Sequence, residues 1–124
     1  MAAIKSFTSL EQSRKLAKIL PLESADMYYE EVCNLPKVIV GNYILHNQCM
    51  EDKDYKKLSN PVLSPAWSLV TLLSVLPNGI VMNKDSQNGK YHFSSKYIGT
   101  YVTADNPVDA CVSMIEKLHE LNLL

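Results

Sequence analysis

Arginine is nearly missing from this sequence. Of its twelve basic residues only Arg14 is an arginine, and the rest are lysines. Arginine is the usual bidentate reader of guanine edges and phosphates, so a sequence-specific nucleic-acid binder is disfavoured. Non-specific contacts through lysine stay open. The twelve basic residues stand against thirteen acidic ones, a net charge of −1, so no global field draws in polyanions or an anionic membrane.

Glycine is scarce too. The four glycines are scattered, and no glycine-rich phosphate cradle, nucleophile elbow or zinc-protease motif occurs. Nothing in the chain calls for a cofactor. The three cysteines, Cys33, Cys49 and Cys111, form no Cys-x-x-Cys pair, which excludes a zinc knuckle and a thioredoxin-type site. An odd set of thiols fits a reducing compartment. The first residues lack the apolar core and cleavage pattern of a signal peptide, and the expected location is the cytoplasm. The longest apolar run, Ala66 to Leu76, falls well short of the ~20 residues that span a bilayer.

What is present reads as one α+β domain of 124 residues, a small antiparallel sheet packed against about three helices. Thr8-Ser9-Leu10-Glu11 predicts a capping box with Thr8 as the cap and Glu11 reaching back. Arg14, Lys15 and Lys18 then make a basic helix face, either a solvated surface or a contact for an acidic partner. Leu22 to Asp26 predicts a short helical turn capped by Ser24, and Met27-Tyr28-Tyr29 opens a strand. Val38 to Leu45 reads either as a tight hairpin on Gly41-Asn42 or as one strand with a bulge at Gly41, and three residues on each side make a poor hairpin, which favours the strand. Ser64 as cap and Pro65 at the first helical position predict a helix through Leu76, apolar almost all round and therefore core. Pro77-Asn78-Gly79 stops it.

After Gly79 a three-stranded meander is expected, from Ile80–Met82, Tyr91–Phe93 and Tyr97–Thr103, with Asn88-Gly89 in the first turn. The last helix follows Asp105-Asn106-Pro107 and carries Val108, Cys111, Val112, Ile115 and Leu118 as its apolar stripe.

Three constellations bear on function. His46 and Cys49 stand three apart near Glu51 and Asp52, too few for a complete zinc site. His92 lies on a predicted strand with Asp85 across the turn, and needs a carboxylate in reach to act as a base. Tyrosine is the compositional oddity, with seven Tyr to two Phe. Tyr91, Phe93, Tyr97 and Tyr101 can form an aromatic patch on one sheet face, which is core if a helix covers it and a binding surface otherwise.

The segments PAWSLVTLLSVLP (Pro65–Pro77) and DNPVDACVSMIEKLHELNLL (Asp105–Leu124), with ADMYY at Ala25–Tyr29, resemble a family of small uncharacterised proteins of gut anaerobic bacteria, their phages and conjugative elements. The resemblance implies a bacterial, mobile-element context and transfers no mechanism. The expected function is a non-catalytic interaction or regulatory module contacting a protein partner, with self-association open. The alternatives are a small enzyme or ligand binder with a pocket near Trp67 using His92 or His46, and lysine-driven nucleic-acid binding.

Overall fold

The computed structural model describes residues 5–32, 35–41, 62–95 and 99–124. Tyr43–Leu45, His46, Cys33, Cys49 and Tyr97 lie outside them. The architecture is α+β. Instead of one sheet there are two three-stranded antiparallel sheets, in two compact units: Thr8–Ser68, and Met1–Phe7 with Leu69–Leu124.

The Thr8–Ser68 unit opens with α1, Leu10–Leu16. Its capping box is shifted one residue from the expected one. Ser9 Oγ accepts from Gln12 N at 3.2 Å, and Gln12 Oε1 accepts from Ser9 N at 3.1 Å. Thr8 is thereby released for another role, described below. Leu22–Ser24 is a 3-10 turn whose Ser24 hydroxyl donates back to the Pro21 carbonyl. Three strands follow, β1 (Met27–Val32), β2 (Leu35–Val40) and β3 (Val62–Ala66), in the order β2-β1-β3. The β1–β2 register sets Glu30 opposite Lys37, opposite charges across the sheet. Helix α1 packs on β3.

β3 corrects the expected helix start at Ser64-Pro65. Tyr28 pairs with Pro65 and Met27 with Ala66, so these residues are extended. Two effects outweigh the capping pattern. A residue before proline is pushed towards extended backbone, which sets Ser64. β3 is also an outer strand of its sheet, where a proline without an N–H is tolerated. Trp67 therefore precedes the helix.

The second unit contains α2 (Leu69–Val75), β4 (Ile80–Lys84), β5 (Tyr91–Ser95), β6 (Tyr101–Ala104) and α3 (Pro107–Glu120). The expected meander is present in the order β4-β5-β6, but its third strand is Tyr101–Ala104: Gly99, expected within the strand, takes a left-handed φ of 63° before it. Asp85 and Gly89 close the first turn: Gly89 N donates to Asp85 O at 2.9 Å, and Gly89 takes the left-handed φ of 70° that the turn requires. Asn106 caps α3 by accepting from Asp109 N at 2.9 Å, with Pro107 in its first turn. Lys5 Nζ meets Asp109 Oδ1 at 2.7 Å in that same turn. The stripe Val108, Cys111, Val112, Ile115 and Leu118 is buried, joined by Ala110 and Met114. α3 packs against β5, β6 and α2. Helix α2 departs from its expectation: Leu72 is buried, but Val70 is 77% and Leu73 37% exposed.

Candidate functional site: the open face of the meander

Strand register sorts the aromatic residues. Phe93 lies opposite Met82 on one side and Val102 on the other, and these three share a face. Phe93 is fully buried in the unit whose α3 packs on β5 and β6. Tyr91 shares that face and is half-buried, with Lys84 Nζ 5.4 Å from its ring centroid. Tyr101 pairs with Ser94, one residue out of phase with Phe93, and so points to the other face. It is 68% exposed. The expected single aromatic patch is thus split. Phe93 is core, Tyr91 borders it, and Tyr101 stands on the open side.

That open face is built from Val81, Ser94 and Tyr101 in one cross-strand row and Asn83, His92 and Thr103 in the next. Apart from Val81 these side chains are polar and can hydrogen-bond, around one phenol ring. At its end His92 Nε2 stands 3.7 Å from Asp85 Oδ2. The Asp85 carboxyl is held below its ordinary range chiefly by the Gln87 N–H, which donates to Oδ1 at 2.7 Å, with a smaller contribution from His92. The carboxylate thus organises its own turn as well as facing the imidazole. Sequence spacing brought Asp85 and His92 to notice without placing them; the turn geometry does so.

The basic residues form a separate surface. Arg14 and Lys15 on α1 and Lys18 in the turn after it are exposed. With Leu10 and Glu11 they line a shallow groove of about 440 Å³. Glu11 Oε1 lies 3.7 Å from Lys15 Nζ, so one of these cations is partly neutralised along the helix.

Trp67 offers no ligand wall. It is fully buried, and its indole N–H donates to Ser24 Oγ at 2.9 Å. Around it lies a polar network that sequence reasoning missed, because Thr8 was assigned to a helix cap. Thr8 N donates to Trp67 O at 3.0 Å and Thr8 Oγ1 accepts from Trp67 N at 3.1 Å. The same Oγ1 shares a 2.7 Å hydrogen bond with Ser13 Oγ, and Thr8 O accepts from the Tyr29 hydroxyl at 2.7 Å. Burial pushes the Tyr29 phenol up. Ser68 donates through both N and Oγ to the Asp26 carboxylate. These contacts satisfy buried polar groups.

Cys111 is buried in α3, and loss of solvation pushes its thiol up to about 12, the environment of an inert core residue. His119 is exposed, with Nδ1 3.4 Å from Leu124 O. Among the described residues no three potential ligands gather for a metal ion, and no helix is long and apolar enough to cross a membrane. Comparison with protein-family models, with curated proteins and with solved structures finds no match to this chain.

Proposed function

We propose that the chain is a non-catalytic interaction module of regulatory type, acting in the bacterial cytoplasm as an accessory to a phage or mobile element. The genetic setting follows from the motif resemblance. The contact surface follows from Tyr101, a tyrosine two-thirds exposed on a sheet face. Around it stand Asn83 and Thr103, also exposed. Tyrosine on such a face combines apolar contact area, a hydrogen-bonding tip and low conformational entropy loss, the properties that enrich it at protein interfaces. The partner is a protein with a polar surface. The basic face of α1 is a second contact for acidic side chains.

The test is capture of partners from bacterial lysate, followed by titration of the purified partner. Tyr101→Ala is expected to weaken binding at least tenfold, a hot-spot effect. Equal affinity for wild type and variant removes the face from the function.

A second reading, a small ligand-binding protein or enzyme, is supported by the 3.7 Å approach of His92 to Asp85. Neither of them lines the groove on α1 or the one beside β4. This reading expects a small molecule to perturb the His92 ring resonances saturably, and Asp85→Asn to weaken that response.

A further inference from the structure

Asparagine followed by glycine occurs twice, at Asn78-Gly79 and Asn88-Gly89, and both asparagines are exposed. This dipeptide has a chemistry of its own. The glycine backbone nitrogen, once it gives its proton to hydroxide, attacks the asparagine Cγ. An N–Cγ bond forms, the Cγ–Nδ2 bond breaks, and the side-chain nitrogen takes a proton from water and leaves as ammonia. A second water opens the resulting succinimide at either carbonyl, giving aspartate or isoaspartate. Hydroxide is regenerated, and no oxidant or cofactor takes part. Glycine favours the step because it has no Cβ to crowd the nitrogen and its backbone turns freely. The other seven asparagines precede Leu, Tyr, Gln, Pro or Lys.

The fold treats the two copies differently. At Asn88 both reacting groups are held. Gly89 N donates to Asp85 O at 2.9 Å, and Asn88 Oδ1 accepts from Lys90 N at 2.9 Å. Asp85 is itself fixed: its N donates to Lys90 O at 2.8 Å, and its Oδ1 accepts from Gln87 N at 2.7 Å. Reaction needs the Gly89 N–H released and the peptide plane rotated until the nitrogen faces Cγ. A proton shared with a carbonyl is also harder for hydroxide to remove. Every bond that must open first adds to the barrier. Asn78-Gly79 follows Pro77 between α2 and β4, with Gly79 at a left-handed φ of 89°. Among the described residues no hydrogen bond holds the Gly79 N–H or the Asn78 carboxamide.

We propose that Asn78 is a site of spontaneous deamidation in the folded protein, and that the Asp85–Lys90 turn silences the same reaction at Asn88. The modification changes a surface. Asn78 and Gly79 line a groove of about 260 Å³ with Leu73, Ile80, Met82 and Phe93 among its other walls. Conversion brings a carboxylate to these apolar side chains and makes the net charge of the chain more negative. The isoaspartate product also adds a methylene to the backbone just before β4, whose first residue, Ile80, pairs with Ser95. The site involves neither Tyr101 nor the basic face of α1, so it stands or falls separately from the proposed contact surfaces.

Incubation of the full chain at mildly alkaline pH decides the matter. Intact mass reads the amide-to-acid exchange, and peptide mapping with enzymatic isoaspartate methylation assigns it. Tryptic cleavage after Lys84 puts the two sites on separate peptides. In the native protein Asn78 is expected to convert at least tenfold faster than Asn88, a barrier difference of about 1.4 kcal/mol. In guanidinium chloride the two rates are expected to converge, since only native contacts separate them. Asn78→Gln is expected to suppress the native mass gain at least tenfold, because glutamine would have to close a six-membered imide, and Asn88→Gln to leave it unchanged. Both positions are exposed, and circular dichroism checks that both variants fold. Equal native rates, or a faster Asn88, overturn the proposal. So does an Asn78 that stays intact in the native chain while the denatured chain reacts, or a rate ratio that denaturant leaves unchanged, which would make the sequence and not the fold its cause.

Discussion

The two units solve the problem of a small core with different chemistry. In Thr8–Ser68 the interior includes buried polar side chains, Thr8 and Ser13, tied to Trp67 and Tyr29 by directional hydrogen bonds. In the other unit the buried side chains of α3, with Leu72 and Phe93, are apolar and the hydrogen bonds lie at helix caps and turns. Apolar burial supplies most of the stabilisation in both, but it is tolerant of rearrangement. A satisfied polar network is less tolerant, because each alternative arrangement strands a donor or acceptor in low dielectric. The first unit therefore specifies where its strands meet, and the second specifies mainly which helix face is inside.

The largest expected effects test the shared part of that comparison. Phe93→Ala and Trp67→Ala each remove a fully buried aromatic and should destabilise by about 3–5 kcal/mol in urea titrations. If Trp67→Ala costs much less than Phe93→Ala, the first unit relies on its polar network more than on its apolar core.

The next effects break the comparison where the units differ. Thr8→Val keeps the shape and removes the oxygen that accepts from Trp67 N and bonds Ser13 Oγ. Leaving such groups unpaired costs about 1–3 kcal/mol. Ser13→Ala should cost less, because it removes one shared bond and strands no backbone group. The double variant should be less destabilised than the sum of the two, by roughly 0.5 kcal/mol or more. Additive losses mean that Thr8 and Ser13 do not act as one network.

Legibility in the sequence followed the same division. The second unit was readable because periodicity and capping chemistry act locally: Asn106, Pro107 and the stripe to Leu118 stand where the spacing put them. The open sheet face was half readable. Alternation gave the strands, but which residues of β5 and β6 share a face depends on the pairing of Phe93 with Val102, a non-local fact. In the first unit the local signals pointed elsewhere. Thr8 resembles a helix cap and Ser64-Pro65 a helix start, yet Thr8 serves Trp67 and Pro65 sits opposite Tyr28 in a sheet. Both are tertiary overrides of local propensity, and a polar network between residues far apart in sequence leaves no spacing signature. The exposure of Val70 and Leu73 was equally hidden, since an apolar pattern does not reveal which of its faces a single chain covers.

Alkaline pH separates the units by a smaller effect. Cys111 in the second loses its proton near 9.0 when unfolded and near 12 when folded. Between those values ionisation favours the unfolded chain, so this contribution is fully present below pH 9 and declines as pH rises through the window. Tyr29 in the first unit is also raised by burial, from 10.0, and its contribution declines only above that pH. Cys111→Ala should therefore flatten the stability–pH curve from about pH 9, and Tyr29→Phe only beyond pH 10. A thiol probe at pH 8 should leave Cys111 unmodified until denaturant is added. Rapid labelling of Cys111 in the native state contradicts its burial.

The smallest effect concerns the end of α3. Asn122 adopts the left-handed φ of 58°. Its N–H donates to His119 O at 3.0 Å, and Leu123 N donates to Leu118 O at 2.8 Å, the paired bonds of a Schellman cap. Asparagine tolerates this conformation but glycine adopts it without a Cβ penalty. Asn122→Gly is therefore expected to stabilise by roughly 0.5 kcal/mol, despite the added freedom of the unfolded chain, and Asn122→Val to destabilise by at least as much. Both changes act on a helix held by apolar packing, so neither should alter the loss caused by Thr8→Val. Additivity of Asn122→Gly with Thr8→Val, within about 0.3–0.5 kcal/mol, is the expected signature of two separately organised interiors, and a larger deviation means that the cap and the network stabilise one another.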